Sequence, residues 1–344
     1  MNDNSWLLLE YEDPRYRIPT ALRARDVRAA RDIGWVEQMR PFVRHFSAPG
    51  GLVLDPFAGF GTTLLAAHLE GRRSIGIELD AARAALARER LQLQQADDAR
   101  MLTGDLRNLR DRLPTIDLCL TSLPYFGAPA MPETSPQQLY GQLQYEPFLE
   151  QVHEIFRSLR DCMKPGGHVI VMAENLRLDG RFVPLAWDVA RVLAGLFELR
   201  EERVLLYRRI AKELAPGEWH SNRSHEYALI AEVRRETLDV AAAMALWHEI
   251  QAGGHAATLR GSLARRLAGD HGVVPADMDL KVDFDATKLQ ALLQFLVERG
   301  FALRCWQRPL RLPVDLEALR ERDYIRAERL DRDGRRLVVD VGWT

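Results

Sequence analysis

Residues 52–63 read Leu52-Val-Leu-Asp-Pro-Phe-Ala-Gly-Phe-Gly-Thr-Thr63, and this stretch decides the fold of the chain. A short apolar run stops at Asp55, and a turn with Gly59 and Gly61 leads into a helix that we expect to begin near Thr62. Such a turn lets a ligand approach the backbone where a side chain would block it. The pattern predicts an α/β sheet with a ligand at the end of its first strand. The alternative is a glycine turn that only packs a helix on a strand.

A second acid follows the next predicted strand. Residues 74–77 form a short run that ends at Glu78, roughly 20 residues after Asp55, where an open α/β sheet places an acid against a ribose. The turn lacks the Gly-x-Gly-x-x-Gly spacing of dinucleotide sites and the Gly-Lys-Ser/Thr of phosphate loops, and no lysine is nearby. We therefore expect a nucleoside ligand without a pyrophosphate.

Residues 55–63 resemble the S-adenosylmethionine loop of the DNA amino-methyltransferases, which usually reads Asp-Pro-Phe-x-Gly-x-Gly-Thr-Thr. The resemblance implies S-adenosylmethionine as the cofactor and a Rossmann-like, seven-stranded methyltransferase sheet. An acid after the third strand accepts from the adenine amino group in such folds, which points to Asp105; a capping or turn aspartate is the alternative. The implied cofactor-binding residues are Asp55, Pro56, Phe57, Gly59, Gly61, Thr62, Thr63, Glu78 and Asp105.

A second loop carries the resemblance further. A buried-strand run, residues 118–120, breaks at Ser122-Leu-Pro-Tyr125. Amino-methyltransferases have Asp/Asn/Ser-Pro-Pro-Tyr/Phe/Trp here, and a preceding Thr-Ser is commonest in cytosine-N4 enzymes. The resemblance implies that Ser122 and the carbonyl of Leu123 accept from the target amine and that Tyr125 stacks on the base. The implied catalytic loop is Ser122, Leu123, Pro124 and Tyr125.

Leu123 stands where the family has its first proline. A leucine carbonyl can accept the same hydrogen bond, but the φ restraint of proline is lost. The alternative of an inactive or altered enzyme therefore remains open. Because position 123 follows the strand, we expect its N–H to have no partner in the sheet and Leu123→Pro to be tolerated.

Composition fits a protein of the cytoplasm without a basic coat. Of 344 residues, 47% are hydrophobic and 28% charged, with a net charge of −2, so any polyanion contact must be local. No apolar run reaches the ~20 residues that span a bilayer, and the N-terminus has no signal sequence. The three cysteines lack metal or disulfide spacing, and none follows a proline, as carbon-5 cytosine methylation requires.

The length suggests more than one domain. We expect an N-terminal arm (1–32), which lies on a phosphate backbone or packs over the catalytic domain, a catalytic domain (33–235) and a C-terminal α+β domain (236–344). A winged-helix-like fold is one candidate for the last domain, and target recognition, dimerisation or regulation are its open roles. Residues 127–145 form a predicted lid or nucleic-acid contact, and residues 208–225 a predicted basic loop with Trp219.

The cofactor loop precedes the catalytic loop and the extra domain comes last, an order that resembles the gamma arrangement of these enzymes. The leading hypothesis is a site-specific DNA methyltransferase that acts on a flipped base, with cytosine N4 favoured over adenine N6. An RNA amino-methyltransferase and an inactive, cofactor-binding nucleic-acid subunit are the alternatives. A homodimer remains open, and no membrane partner is expected.

Overall fold

The computed structural model describes residues 3–27, 33–127, 138–139, 142–208, 216, 224–233, 238–305, 308–320, 324–330 and 336–343. The chain divides into two compact units, Met1–Val233 and Arg234–Thr344. Within these ranges no helix has the length and apolar character needed to cross a membrane. The same ranges contain no cluster of His, Cys, Asp and Glu side chains suited to a metal ion.

The first unit is built around an eight-stranded sheet in the order β1-β9-β10-β6-β5-β2-β3-β4, and β7 and β8 form a separate hairpin. The strands are β1 (Trp6–Leu9), β2 (Leu52–Asp55), β3 (Arg73–Glu78), β4 (Ala99–Thr103), β5 (Ile116–Ser122), β6 (Met163–Ala173), β7 (Leu176–Leu178), β8 (Arg181–Val183), β9 (Glu198–Tyr207) and β10 (His225–Glu232). Strand β10 is antiparallel to both neighbours, and the other pairs in the sheet are parallel. The order reverses between β2 and β5, where doubly wound sheets bind their ligands. This is the Rossmann-like α/β fold that the sequence predicts.

Helices cover both faces of the sheet. They are α1 (Thr20–Arg23), α2 (Val36–Phe46), α3 (Thr62–Leu69), α4 (Ala81–Leu93), α5 (Leu106–Leu109), α6 (Tyr145–Arg160) and α7 (Leu185–Leu196). Helices α2, α3 and α4 share one apolar cluster with Val53 and Leu120, whereas α6 and α7 share another with Leu54 and Cys119. Because neighbouring strand residues point to opposite faces, a sheet covered on both sides needs continuous apolar runs. Residues 52–54 and 118–120 are such runs.

The N-terminal arm departs from the prediction. It supplies β1, which pairs parallel with β9 and adds an eighth strand to the expected seven. Farther along, Ile18 and Leu22 pack against Phe60 and Leu86. Within residues 3–27 the arm therefore packs on the rest of the first unit, one of the two predicted alternatives. The strand escapes prediction because four residues are too few to show a period.

The second unit has the predicted α+β composition. Its helices are α8 (Val240–Ala252), α9 (Gly261–Leu267) and α10 (Ala286–Glu298). Six strands form one sheet in the order β11-β12-β16-β15-β13-β14. They are β11 (Thr258–Arg260), β12 (Met278–Val282), β13 (Ala302–Cys305), β14 (Arg308–Leu310), β15 (Tyr324–Leu330) and β16 (Arg336–Trp343). Only β13 and β16 are predicted from the sequence, so the sheet is larger than the wing expected there. The predicted turn at Asp333-Gly334 lies outside the described residues.

Candidate cofactor and catalytic site

A cleft opens at the carboxyl ends of β2, β3 and β5, where the strand order reverses. Its empty volume is about 970 Å³, counting the space that is open to solvent. Of the site residues predicted from the sequence, Gly61 alone does not line it. The others do: Asp55, Pro56, Phe57, Gly59, Thr62, Thr63, Glu78, Asp105, Ser122, Leu123, Pro124 and Tyr125. The fold thus brings the Asp55 turn and the Ser122–Tyr125 loop to one cavity.

The glycine turn needs its glycines for the backbone. Gly59 has φ +50° and Gly61 has φ +74°, both in the left-handed region that side chains disfavour. Gly61 is the N-cap of α3, and a Cβ there would stand 3.3 Å from a methyl group of Leu91. Gly61 therefore turns the chain into the helix and faces α4 instead of the cleft.

Asp55 is buried and held by neutral donors. The Thr121 hydroxyl donates to its Oδ1 at 2.6 Å, and the Phe57 N–H donates to the same oxygen at 3.0 Å. Burial raises the pKa of Asp55 to about 6, although the Thr121 hydrogen bond opposes the rise. A ligand that brings positive charge would favour the ionised form. S-adenosylmethionine carries an ammonium and a sulfonium, so this buried acid suits it.

Glu78 ties the turn to β3. Its Oε2 accepts from the Gly59 N–H at 3.0 Å, and its Oε1 accepts from the Asp80 N–H at 2.9 Å. Burial raises the pKa of Glu78, and the two backbone hydrogen bonds and the positive charge of Arg83 oppose the rise. Each carboxylate oxygen retains a second lone pair, which suits it to accept from a ribose hydroxyl.

Asp105 is the N-cap of α5, which is the capping alternative given by the sequence. Its side chain accepts from the Arg107 N–H at 2.8 Å and from the Arg107 guanidinium at 2.6 Å. It also lines the cleft, so the capping position and contact with an adenine are compatible. Its role as acceptor for the adenine amine stays a prediction.

The catalytic loop corrects one expectation. Ser122 ends β5, and the Leu123 N–H donates to the Met172 carbonyl at 2.9 Å. The prediction that this N–H has no partner in the sheet is wrong, because β6 continues to Ala173 and reaches past the end of β5. The Leu123 side chain is also only 2% exposed and packs in the core. Pro124 and Tyr125 are half-buried at the cleft.

The residue after Tyr125 anchors the loop. The Phe126 ring lies edge-on to Tyr145 at 5.1 Å and to Phe148 at 5.3 Å between centroids. The Tyr145 hydroxyl donates to Asp188 at 2.8 Å, which joins α6 to α7 below the loop. The catalytic loop is therefore fixed from both sides, by β6 and by this aromatic cluster.

Sequence analysis overlooks a buried arginine behind the turn. Arg90 is 2% exposed, and its guanidinium donates to the Phe60 carbonyl and to the Thr62 hydroxyl, each at 3.1 Å, and to the Tyr16 carbonyl at 2.7 Å. Burial lowers the pKa of Arg90 to about 10. Helical spacing could have predicted the burial of Arg90, because this residue shares a face of α4 with the buried residues Leu86 and Ala87.

A second overlooked group lies on α2, next to the cleft. Gln38 is 1% exposed, and its amide donates to Glu226 on β10 at 2.9 Å. Burial raises the pKa of Glu226 to about 7; the nearby Glu174 adds to the rise, and the Gln38 hydrogen bond opposes it. No local signal predicts this contact, because the partners are far apart in the chain.

Two predicted segments lie largely outside the described residues. They are residues 128–137 with 140–141 of the predicted lid, and residues 209–215 with 217–223 of the basic loop, including Trp219. Their expected roles remain predictions.

Comparison with known proteins supports the sequence resemblance over part of the chain. Residues 36–89 match the model of the N6/N4 methyltransferase family, described as DNA methylase. Over 44 residues the chain is 52% identical to YubD of Escherichia coli (strain K12), whose name describes it as a methylase; the match covers 13% of this chain and 19% of that protein. Over 65 residues it is 42% identical to the type II methyltransferase M.XycI of Xanthomonas campestris pv. cyanopsidis, covering 19% and 22%. The chain thus spans about a fifth of each relative's length.

Among solved structures, TrmN from Thermus thermophilus aligns over 58% of this chain and 48% of its own, with 23% identity and a TM-score of 0.40. The fold assignment rests on the strand order itself.

Proposed function

We propose, from the match of residues 36–89 to the model of the N6/N4 DNA methylase family, that this protein is a site-specific DNA methyltransferase. It transfers a methyl group from S-adenosylmethionine to an exocyclic base amine, and cytosine N4 is favoured over adenine N6. The observation that carries the proposal is the single cleft lined by both the Asp55 turn and the Ser122–Tyr125 loop. The preference for cytosine rests on Thr121-Ser122, the sequence that is commonest in cytosine-N4 enzymes.

The cofactor side of the cleft is formed by the acids and the turn. When bound, S-adenosylmethionine supplies a methyl group on a positively charged sulfur. Asp55 offers a buried carboxylate to the positive charges, and Glu78 offers acceptors to the ribose. Gly59 leaves the approach open, since a Cβ at this position would meet nothing within 4 Å.

The catalytic loop prepares the amine. The lone pair of an exocyclic amine is delocalised into the base, which makes it a poor nucleophile. Hydrogen bonds from its two N–H groups to Ser122 Oγ and to the Leu123 carbonyl favour a pyramidal nitrogen with a localised lone pair. Tyr125 stacks on the base and fixes its angle. Orientation of this kind supplies up to ~7–11 kcal/mol of a barrier. Serine is no base at neutral pH, so the released proton passes to solvent.

DNA is the proposed substrate, and the target base must be flipped out of the duplex, at a cost of a few kcal/mol. M.XycI is named a type II methyltransferase, and we extend that role in restriction–modification to this chain. We place the protein in the cytoplasm, which its three buried cysteines, none of them in a disulfide, support. RNA is the alternative substrate of the same class.

The C-terminal domain, residues 236–344, is proposed to select the target site. It has its own apolar core, in which Leu289 and Leu293 of α10 pack with Val339 and Val341 of β16. Deletion of the domain is expected to leave cofactor affinity intact and to abolish sequence-selective methylation. A truncated chain that methylates the same sites would assign the domain to dimerisation or regulation instead.

A cofactor-binding subunit without activity is the second candidate function. Leu123 favours it, because a buried leucine with a bonded N–H stands where the family has an imino acid. Both candidates require the cofactor cleft, and they differ only in the competence of the catalytic loop.

Transfer of tritium from labelled S-adenosylmethionine to duplex DNA, single-stranded DNA and RNA separates the candidates. We expect label in duplex DNA, and base analysis should find it on cytosine N4. Ser122→Ala and Tyr125→Ala should each lower turnover about 10- to 100-fold, which corresponds to a loss of about 1.4–2.7 kcal/mol in transition-state stabilisation, and leave cofactor affinity unchanged. Ser5→Ala and Tyr11→Ala, at exposed positions of the arm, are the matched controls. A Ser122→Ala variant as active as the wild type would refute the assignment of the loop.

A further inference from the structure

Two aromatic side chains lie exposed and side by side on the first unit. Phe182 on β8 is 55% exposed, and Trp187 on α7 is 51% exposed. Their ring centroids are 5.7 Å apart, with 56° between the ring planes. Exposed tryptophan and phenylalanine leave a large apolar area in water, so a neighbouring pair is an uncommon feature that points to a binding surface.

The aromatic pair, Phe182 and Trp187, lies in the segment that follows the carboxyl end of β6, on the separate β7–β8 hairpin and at the start of α7. The β7–β8 hairpin directly follows β6, whose Met172 carbonyl accepts from the Leu123 N–H. The hairpin also reaches the far end of the loop, because a Cβ at Gly127 would stand 2.8 Å from a methyl group of Leu178. The hairpin that carries Phe182 therefore approaches the chain two residues after Tyr125, and Phe182, which pairs with Arg177, lies on the hairpin face opposite Leu178.

The backbone that carries the aromatic pair is fixed. The Asn175 side chain accepts from the Ala186 N–H at 3.0 Å and so holds the start of α7. Leu185 and Val189 on the same helix are buried, and Asp188 accepts from Tyr145. The rings are thus presented on a fixed helix start and hairpin, and their exposure is not a consequence of loose packing.

We propose that Phe182 and Trp187 stack on an unpaired base of the nucleic-acid substrate, beside the flipped target base; this inference rests on the proposed function. Every base has a π face, so aromatic stacking tolerates any sequence and suits the contacts that flank a recognition site.

A second copy of the chain fits this surface less well. Two half-exposed aromatic side chains offer on the order of 200 Å² together. A stable protein interface buries about 800 Å² on each partner. The exposed hairpin residues beside the rings, Asp179 and Arg181, are charged and would have to be desolvated in such an interface.

The test measures binding of fluorescein-labelled single-stranded DNA by anisotropy, together with the KM for duplex DNA in methyl transfer. Phe182→Ala and Trp187→Ala should each weaken DNA binding about 5- to 100-fold. Trp187→Phe should retain most of the affinity, because a smaller ring still stacks. Leu93→Ala, which removes a 61% exposed side chain at the end of α4, is the control and should bind like the wild type. Calorimetric affinity for S-adenosylmethionine should stay unchanged in all four variants.

The outcomes keep the inference distinct from the proposed function. Unchanged DNA affinity and KM in both alanine variants would overturn the stacking role while wild-type methyl transfer stands. If the wild type transfers no methyl group but both alanine variants bind DNA more weakly than the wild type, the proposed activity is wrong and the stacking surface is supported. A dimer that Trp187→Ala converts to a monomer in sedimentation, with DNA affinity unchanged, would make the pair a subunit contact and overturn the inference.

Discussion

Two buried acids of the first unit, Asp55 and Glu78, are held in a different way from the buried Asp340 of the second unit. In the first unit, Asp55 and Glu78 accept from a hydroxyl and from backbone N–H groups. In the second unit, Asp340 accepts two hydrogen bonds from the Arg326 guanidinium, both at 2.8 Å, and Asp277 lies 3.7 Å from the same group. The neutral donors on Asp55 leave its charge uncompensated, whereas a guanidinium compensates the charge of Asp340 within the fold.

The difference separates a binding site from a structural one. The pKa of Asp55 rises from 3.8 to about 6 through burial, so ionising it at neutral pH costs the fold about 3 kcal/mol. A ligand with positive charge recovers part of that cost when it binds. A ligand would gain nothing comparable from the Arg326–Asp340 pair, because the two charges already compensate each other. Burial of Asp55 therefore lowers the stability of the fold at neutral pH, and binding of a positively charged ligand in the cleft recovers part of this loss.

Removal of Arg326 should have the largest effect on stability. Arg326→Met leaves Asp340 and Asp277 buried without their cation, which typically costs about 3–5 kcal/mol. Urea denaturation should show this loss, with affinity for S-adenosylmethionine unchanged. Arg265→Met, which breaks an exposed pair with Asp270, is the control and should cost ~0–1 kcal/mol. If Arg326→Met and Arg265→Met lower the free energy of unfolding by similar amounts, Arg326 does not compensate the buried acids and the contrast with Asp55 fails.

Leu123→Pro should be the next most damaging change, contrary to the expectation from sequence. The substitution removes the N–H that donates to the Met172 carbonyl and replaces a buried side chain. Together these changes should lower the free energy of unfolding by about 2–4 kcal/mol. Leu123→Ala keeps the N–H and is the matched comparison, so the hydrogen bond alone accounts for ~0.5–1.5 kcal/mol. Denaturation midpoints of the two variants measure it. Equal stability of Leu123→Pro and the wild type would show that the N–H has no effective partner. Restored methylation in Leu123→Pro, with a silent wild type, would favour the inactive subunit.

Glu226→Gln should have the smallest effect, and that effect should depend on pH. Burial raises the pKa of Glu226 to about 7, so the folded wild type loses stability as pH rises from about 4.5 to 7. The substitution removes the charge and keeps an acceptor for Gln38. The variant should therefore be more stable than the wild type by about 1–3 kcal/mol at pH 8 and by less than ~1 kcal/mol at pH 5. Glu202→Gln, at an exposed position of β9, should show no such difference. An equal gain for Glu226→Gln at both pH values would point to packing instead of charge.

Sequence patterns predicted the centre of the first unit because its signals are local. A run of apolar residues that stops at an acid, followed by glycines with positive φ, defines β2, the turn and α3 within twelve residues, Leu52 to Thr63. The order of such segments is enough to place Asp55, Glu78 and Ser122 at one edge of a sheet.

The parts that sequence did not predict depend on distant neighbours. The Leu123 N–H is bonded because β6 outlasts β5, and neither strand's sequence shows where its neighbour ends. Strands of three to five residues, such as β11 and β14, are too short to show alternation. The Gln38–Glu226 contact joins α2 to β10 across the fold, and neither residue's local pattern indicates the other.

Calorimetric titration of S-adenosylmethionine into the wild type and Glu78→Ala tests most directly whether the acids held by neutral donors form the cofactor site. The wild type should bind, and Glu78→Ala should bind about 10- to 100-fold more weakly, because a buried ribose hydroxyl loses a charge-assisted hydrogen bond of ~1.5–3 kcal/mol. Glu89→Ala, which removes an exposed acid paired with Arg25, should bind like the wild type. An unchanged Kd for Glu78→Ala would remove Glu78 from the site and contradict the cofactor assignment of the cleft.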